Sequence, residues 1–174
     1  SAQNDFVTAL TKEQLALIFS GEVKMWNEVD PAFPAESILV YSPGADSGTF
    51  DYFVEAILGP HFPNAEGKAD VAKGEEALLG LEGAQFSEDD NVLVQGVEGS
   101  PYAIGYFGFA YYAAHKDKLR AVPIDGGKGP VAPSLETVIN GTYSPLSRPL
   151  FMYVKESSAG RPEVKEFVEF AMKE

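Results

Sequence analysis

The alternation of apolar and polar positions divides this chain into helical and extended segments in turn, the pattern of an α/β lobe. In Thr11-Lys12-Glu13-Gln14 a threonine precedes a glutamine by three residues, which predicts a capping box at a helix start. Leu15, Ile18 and Phe19 follow as an apolar stripe, and Gly21 stands where a C-terminal cap belongs. Residues 26–34 read as a loop around Asp30-Pro31, with Trp26 as a packing anchor. Residues 37–41 (S-I-L-V-Y) form a compact β-prone run. Phe50, Phe53, Val54 and Ile57 recur at helical spacing, and Gly59-Pro60 is a stop signal.

Further along, 75–81 and 88–97 read as helices and 103–112 as a strand passing into a helix. Residues 119–124 read as a strand, followed by a glycine-rich loop at 125–130 expected to be mobile. A short helix at 133–140 closes on Gly141, and 150–154 read as another strand. An amphipathic helix over 162–172 has Pro162 in its first turn.

At 174 residues the chain suits one domain, or one large lobe of a bigger protein, and needs no covalent staples. It has no cysteine, which removes disulfides, thiolate metal sites and a cysteine nucleophile. Only His61 and His115 offer imidazole, without partners at metal-ligand spacing, so no metal site is expected. A net charge of −13 argues against nucleic acid as a partner. The longest apolar stretch, 103–114, is too short to span a bilayer, so no membrane insertion is expected.

The segment with chemical content is Asp46-Ser47-Gly48-Thr49, between the β-prone run and the helix that begins near Phe50. The first N–H groups of a helix lack internal acceptors, and the helix dipole places partial positive charge there. Gly48 lets an oxyanion approach the backbone, and Ser47 and Thr49 add hydroxyl donors. Such a site needs no basic side chain, so it is compatible with an acidic chain. The plainer alternative is that Asp46 or Ser47 only caps the helix. A hydrolase reading is weaker: Gly44-Ala45-Asp46-Ser47-Gly48 is similar to a nucleophile elbow, but its serine sits one position late.

The segment Y-S-P-G-A-D-S-G-T-F-D-Y-F (41–53) resembles the ligand loop of phosphate ABC-transporter substrate-binding proteins. Four other stretches resemble the same branch in the same order: 10–29, 87–97 (S-E-D-D-N-V-L-V-Q-G-V), 103–112 (A-I-G-Y-F-G-F-A-Y-Y) and 143–154 (Y-S-P-L-S-R-P-L-F-M-Y-V). The resemblance implies one lobe of a type II periplasmic-binding fold, a central mixed sheet flanked by helices. Inorganic phosphate would be held by Ser47, Gly48 and Thr49, with no catalysis and no cofactor. Many relatives carry an arginine just before the S-G-T and a glycine where Asp46 stands; this chain has no such arginine, and Arg148 is either its substitute or a surface or hinge arginine.

The resemblance also implies that 1–174 is the second lobe, with hinge-proximal segments near both ends and the first lobe absent. A leader outside this sequence, a periplasmic or extracellular location at a bacterial membrane and an ABC permease partner follow from the same likeness. Sulfate and molybdate remain alternative ligands, since selectivity depends on the other lobe. The aromatic run Tyr102, Tyr106, Phe107, Phe109, Tyr111 and Tyr112 reads as core and interlobe packing, and its exposure in a single lobe would favour self-association.

Overall fold

A computed structural model of the chain describes residues 1–148 and 151–173. The α/β expectation holds, with the strands distributed over two small sheets. In the first, β2 (Leu39–Pro43) lies between β3 (Gln85–Ser87) and β4 (Ala103–Gly105), all parallel. In the second, β5 (Ile124–Asp125) lies between β1 (Leu10–Thr11), which runs parallel to it, and β6 (Pro130–Val131), which runs antiparallel. Parallel neighbours need long crossovers, and the helices supply them.

The helix α1 (Lys12–Ser20) begins as the sequence predicts. Gln14 N–H donates to Thr11 Oγ1 at 3.1 Å, and Gln14 Oε1 accepts from Thr11 N–H at 2.9 Å. Gly21 closes the helix at φ 78°, a conformation that glycine adopts without a Cβ penalty. Leu15, Ile18 and Phe19 are buried in the main core with Val40, Phe50, Phe53, Ile57 and Leu58.

Several segments differ from the sequence expectation, each for a physical reason. The supposed loop at 26–34 opens with a one-turn helix, α2 (Trp26–Val29). Glu28 stabilises its start by accepting from the N–H groups of Lys24 at 2.7 Å and Met25 at 3.0 Å. One turn is too short to show an apolar period. The predicted strand at 37–41 is shifted two residues toward the C-terminus, and Ser37 instead bridges Met25.

Gly59-Pro60 does not end the helix that follows the S-G-T turn. The helix α3 (Gly48–Phe53) passes into a π-helical stretch (Val54–Leu58) and then into α4 (Gly59–His61). Proline cannot donate and its ring crowds the preceding turn. The widened turn, in which Gly59 N–H reaches back to Val54 O, accommodates it. Packing fixes this arrangement: α5 (Val71–Leu79) presses Gly74 so close that an added Cβ would lie 2.9 Å from Leu58 Cβ and 3.0 Å from Gly59 N.

The helix predicted at 75–81 starts earlier because Asp70 caps it through Lys73 N–H at 3.0 Å. The one predicted at 88–97 is α6 (Asp90–Glu98), capped by Asp89 and preceded by β3. The stretch 103–112 does pass from β4 into α7 (Phe109–Ala114). Of 119–124 only Ile124 joins a strand; Pro123 contributes just its carbonyl, which accepts from Leu10 N–H at 3.0 Å. The loop at 125–130 is held as a hairpin by Asp125, whose Oδ1 accepts from Gly127 and Gly129. The short helix near 133–140 is α8 (Leu135–Ile139), capped by Ser134, and the last helix is α9 (Pro162–Ala171). In the strand predicted at 150–154, Leu150 lies outside the described residues, and 151–154 pair with no strand among them.

Candidate functional site

The parallel strand β2 delivers the chain to the turn. At its end Ser42 is fully buried, its Oγ donating to Pro43 O at 2.9 Å and lying 2.9 Å from the Tyr106 hydroxyl. Tyr106 stacks on Phe53 with ring centroids 4.0 Å apart. Burial pushes the Tyr106 phenol well above its usual value, so it stays neutral. Strand end and helix are thus joined beneath the turn.

Ser47 takes the N-cap position, with φ −91° and ψ 126°. Its Oγ accepts from Thr49 N–H at 3.2 Å, its carbonyl accepts from Asp51 N–H at 3.1 Å, and its own N–H donates to Gly44 O at 3.0 Å. Gly48 is exposed, and its N–H has no acceptor among the described residues. The plain capping role is therefore real, and it leaves one backbone donor open at the helix start.

Arg148 reaches this turn from far along the chain. Its Nη2 donates to Gly48 O at 2.8 Å, and its guanidinium carbon lies 5.1 Å from the centre of the Tyr52 ring. A Cβ on Gly48 would lie 3.0 Å from the same Nη2. A guanidinium has five N–H donors, so this one bond leaves others for a ligand. Arg148 thus joins Ser47, Gly48 and Thr49 at the start of α3. The Asp46 side chain is exposed and makes no hydrogen bond among the described residues, whereas its N–H donates to Glu88 Oε1 at 3.3 Å.

Two neighbours escaped the sequence reading. Glu88, read as part of a helix start, instead lies over the turn; a Cβ on Gly44 would sit 1.9 Å from its Oε1. Tyr52 follows Gly48 by one helical turn, and that spacing was the available signal. An apolar cavity of about 510 Å³ is lined by Thr49, Tyr52 and Arg148 together with Phe19, Phe53 and Tyr106 of the core.

The geometry gives no support to a hydrolase. No imidazole or carboxylate among the described residues is hydrogen-bonded to Ser47 Oγ, and both imidazoles are engaged elsewhere. His61 pairs with Glu22, whose carboxylate is held below its usual value chiefly by that bond. His115 Nδ1 meets Tyr111 O at 2.8 Å. Among the described residues no cluster of three or more histidine, aspartate or glutamate side chains is placed to hold a metal ion. None of the described helices is long and apolar enough to cross a membrane.

Comparison with known proteins places this architecture. Protein SphX of Synechocystis sp. is 45% identical over 173 residues, covering 97% of this chain and 47% of that protein. The phosphate-binding protein PstS of Staphylococcus haemolyticus is 38% identical, covering 98% of this chain and 48% of its own length. The chain thus spans about half the length of these curated relatives. Among solved structures, a possible phosphate binding protein from Planctomyces limnophilus superposes with a TM-score of 0.71 at 37% identity, covering 97% of this chain and 55% of that one. A putative phosphate ABC transporter substrate-binding protein from Clostridium perfringens, solved with bound phosphate, gives 0.68 at 28% identity, covering 97% and 58%. The family model for the PBP superfamily domain matches residues 1–174, and this chain belongs to that family.

Proposed function

We propose that this chain supplies one wall of a phosphate site and acts as part of the solute-binding component of a phosphate ABC importer. The observation that carries the reading is the convergence of the Arg148 guanidinium on the Ser47-Gly48-Thr49 turn across 100 residues of sequence. The open Gly48 N–H, the Ser47 and Thr49 hydroxyls and the remaining Arg148 donors then face a tetrahedral oxyanion from one side. The Clostridium perfringens relative, solved with phosphate, supports the choice of ligand. The role is binding, without catalysis. Asp46 adds no donor, since its one N–H is engaged by Glu88 Oε1.

In a longer protein the lobe 1–174 closes against a second lobe that holds the other face of phosphate, at the outer side of a bacterial membrane, and delivers it to a permease. Alone, the lobe binds weakly. Micromolar affinity needs about −8 kcal/mol, while each charge-assisted hydrogen bond contributes about 1.5–3 kcal/mol and half of the anion stays in water. The expected dissociation constant is millimolar or weaker. The check is a titration of the chain with inorganic phosphate, followed by amide NMR at constant ionic strength. The Gly48 and Thr49 amides shift and saturate; no shift at either overturns the reading, and micromolar saturation overturns the half-site argument. Equal shifts with sulfate would place selectivity in the other lobe.

The aromatic run expected to drive self-association is half-buried at Tyr102, Tyr106, Phe107, Phe109 and Tyr112, with only Tyr111 exposed, at 38%. Self-association would run instead through Tyr153, 91% exposed, and Phe170, 77% exposed, with Phe151 and Phe167 also bare. Light scattering is expected to show an average mass rising with concentration. A constant monomer mass at high concentration would refute it.

A further inference from the structure

Arg148 lies in an irregular segment, outside any helix or strand, and an arginine side chain loses considerable rotamer freedom when held in one place. Something must hold it at the turn. Tyr52 touches that segment in two ways. Its hydroxyl donates to Pro145 O at 2.6 Å, with Ser147 O sharing the same hydrogen at 3.1 Å. Its ring lies beneath the guanidinium, 5.1 Å from centroid to Cζ. The first contact fixes the backbone that precedes Arg148, and the second orients the charged group itself.

Tyr52 is itself firmly based. It lies in α3 between Phe50 and Phe53, both buried in the main core, one helical turn beyond Gly48. The helix whose N-terminus forms the anion turn therefore also carries the bracket for the arginine. Turn and guanidinium keep their spacing even though 100 residues separate Gly48 from Arg148.

We infer that Tyr52 is the positioning residue that holds Arg148 at the Ser47-Gly48-Thr49 turn. This rests on the phosphate reading above as far as its effect on affinity is concerned, but the bracket is a property of the lobe that can be read without ligand.

The test combines both readouts on the whole chain. Without phosphate, the Nε–H resonance of Arg148 is followed in the wild type, Tyr52→Phe and Tyr52→Leu. Release of the guanidinium gives faster solvent exchange and loss of the ring-induced shift in Tyr52→Leu, and faster exchange with the ring shift retained in Tyr52→Phe. With inorganic phosphate, Arg148→Gln is expected to weaken binding about tenfold, the factor that one charge-assisted hydrogen bond commands. Tyr52→Leu loses a similar factor, and Tyr52→Leu with Arg148→Gln loses no more than Arg148→Gln alone, because the two act as one unit. A structural role alone predicts losses that multiply.

An unchanged Arg148 resonance in both Tyr52 variants, or multiplying losses, overturns the bracket. Absence of phosphate binding in the wild type, with the resonance changes present, overturns the phosphate reading and leaves the bracket standing. If Tyr52→Leu unfolds the lobe, Tyr52→Phe still decides, since it keeps the ring and removes only the carbonyl contacts.

Discussion

Replacing Trp26 with alanine is expected to destabilise the lobe by about 3–5 kcal/mol, read as a lower urea midpoint by tryptophan-independent far-UV dichroism. Trp26 is the largest of the fully buried side chains. Its ring meets Phe6 edge-on at 5.3 Å and Phe33 at 6.1 Å, and Phe6 in turn packs on Phe33 and Tyr102. Its Nε1–H donates to Tyr102 O at 3.0 Å, joining the start of α2 to the residue just before β4. The substitution opens a cavity and removes one of the two hydrogen bonds that Tyr102 O accepts, leaving only the one from Leu39 N–H at 3.2 Å. A domain's whole stability is about 5–15 kcal/mol, so a substantial fraction of the variant should be unfolded at modest denaturant. A loss below about 1 kcal/mol would mean that the aromatic cluster rearranges to fill the space.

That anchor was readable from the sequence, as the only tryptophan in a chain rich in aromatics, but the turn of helix that carries it was not. The difference shows which information is local. Thr11 and Gln14 satisfy each other within three residues, Gly21 takes a left-handed conformation by itself, and Ser47 caps its own helix. Each of these needs only its neighbours, and each was legible. Gly59-Pro60 was misread because its local tendency to stop a helix loses to burial of Leu58 and the close approach of Gly74. At 119–124 the apolar run suggested a strand, yet only Ile124 finds a partner.

The site divides in the same way. The turn was legible as a helix start with a backbone donor left open, since that follows from helix geometry. Arg148 entered only as a substitute for a missing arginine suggested by the family likeness, and no local rule places it beside Gly48. Tyr52 and Glu88 were missed altogether, because what matters in each is a contact across the fold: Tyr52 to Pro145 and Ser147, and Glu88 to Asp46 N–H and the face of Gly44. Helical spacing put Tyr52 on the right face, but only tertiary structure supplies what it touches.

Gly48→Val is expected to abolish measurable phosphate binding while leaving the lobe folded. The Gly48 backbone is not in the positive-φ region, and it occupies the first position of α3, so valine is tolerated there without strain. Helix propensity changes little in this direction, and the thermal midpoint should stay within a few degrees. The site, however, loses two groups at once. A Cβ at this position lies 3.0 Å from Arg148 Nη2, and the added methyls push the guanidinium off Gly48 O. The same methyls stand beside the open Gly48 N–H and bar an oxyanion from it. Losing a backbone donor and a charged donor together removes about 3–6 kcal/mol, more than a millimolar interaction can spare. Gly48→Ala should fall between, since a single methyl meets only the far end of a flexible arginine. Phosphate titration followed at the Thr49 amide, together with the thermal midpoint, separates loss of the site from loss of the fold. A folded Gly48→Val that still shifts and saturates within about threefold of the wild type would show that the anion sits somewhere other than this turn.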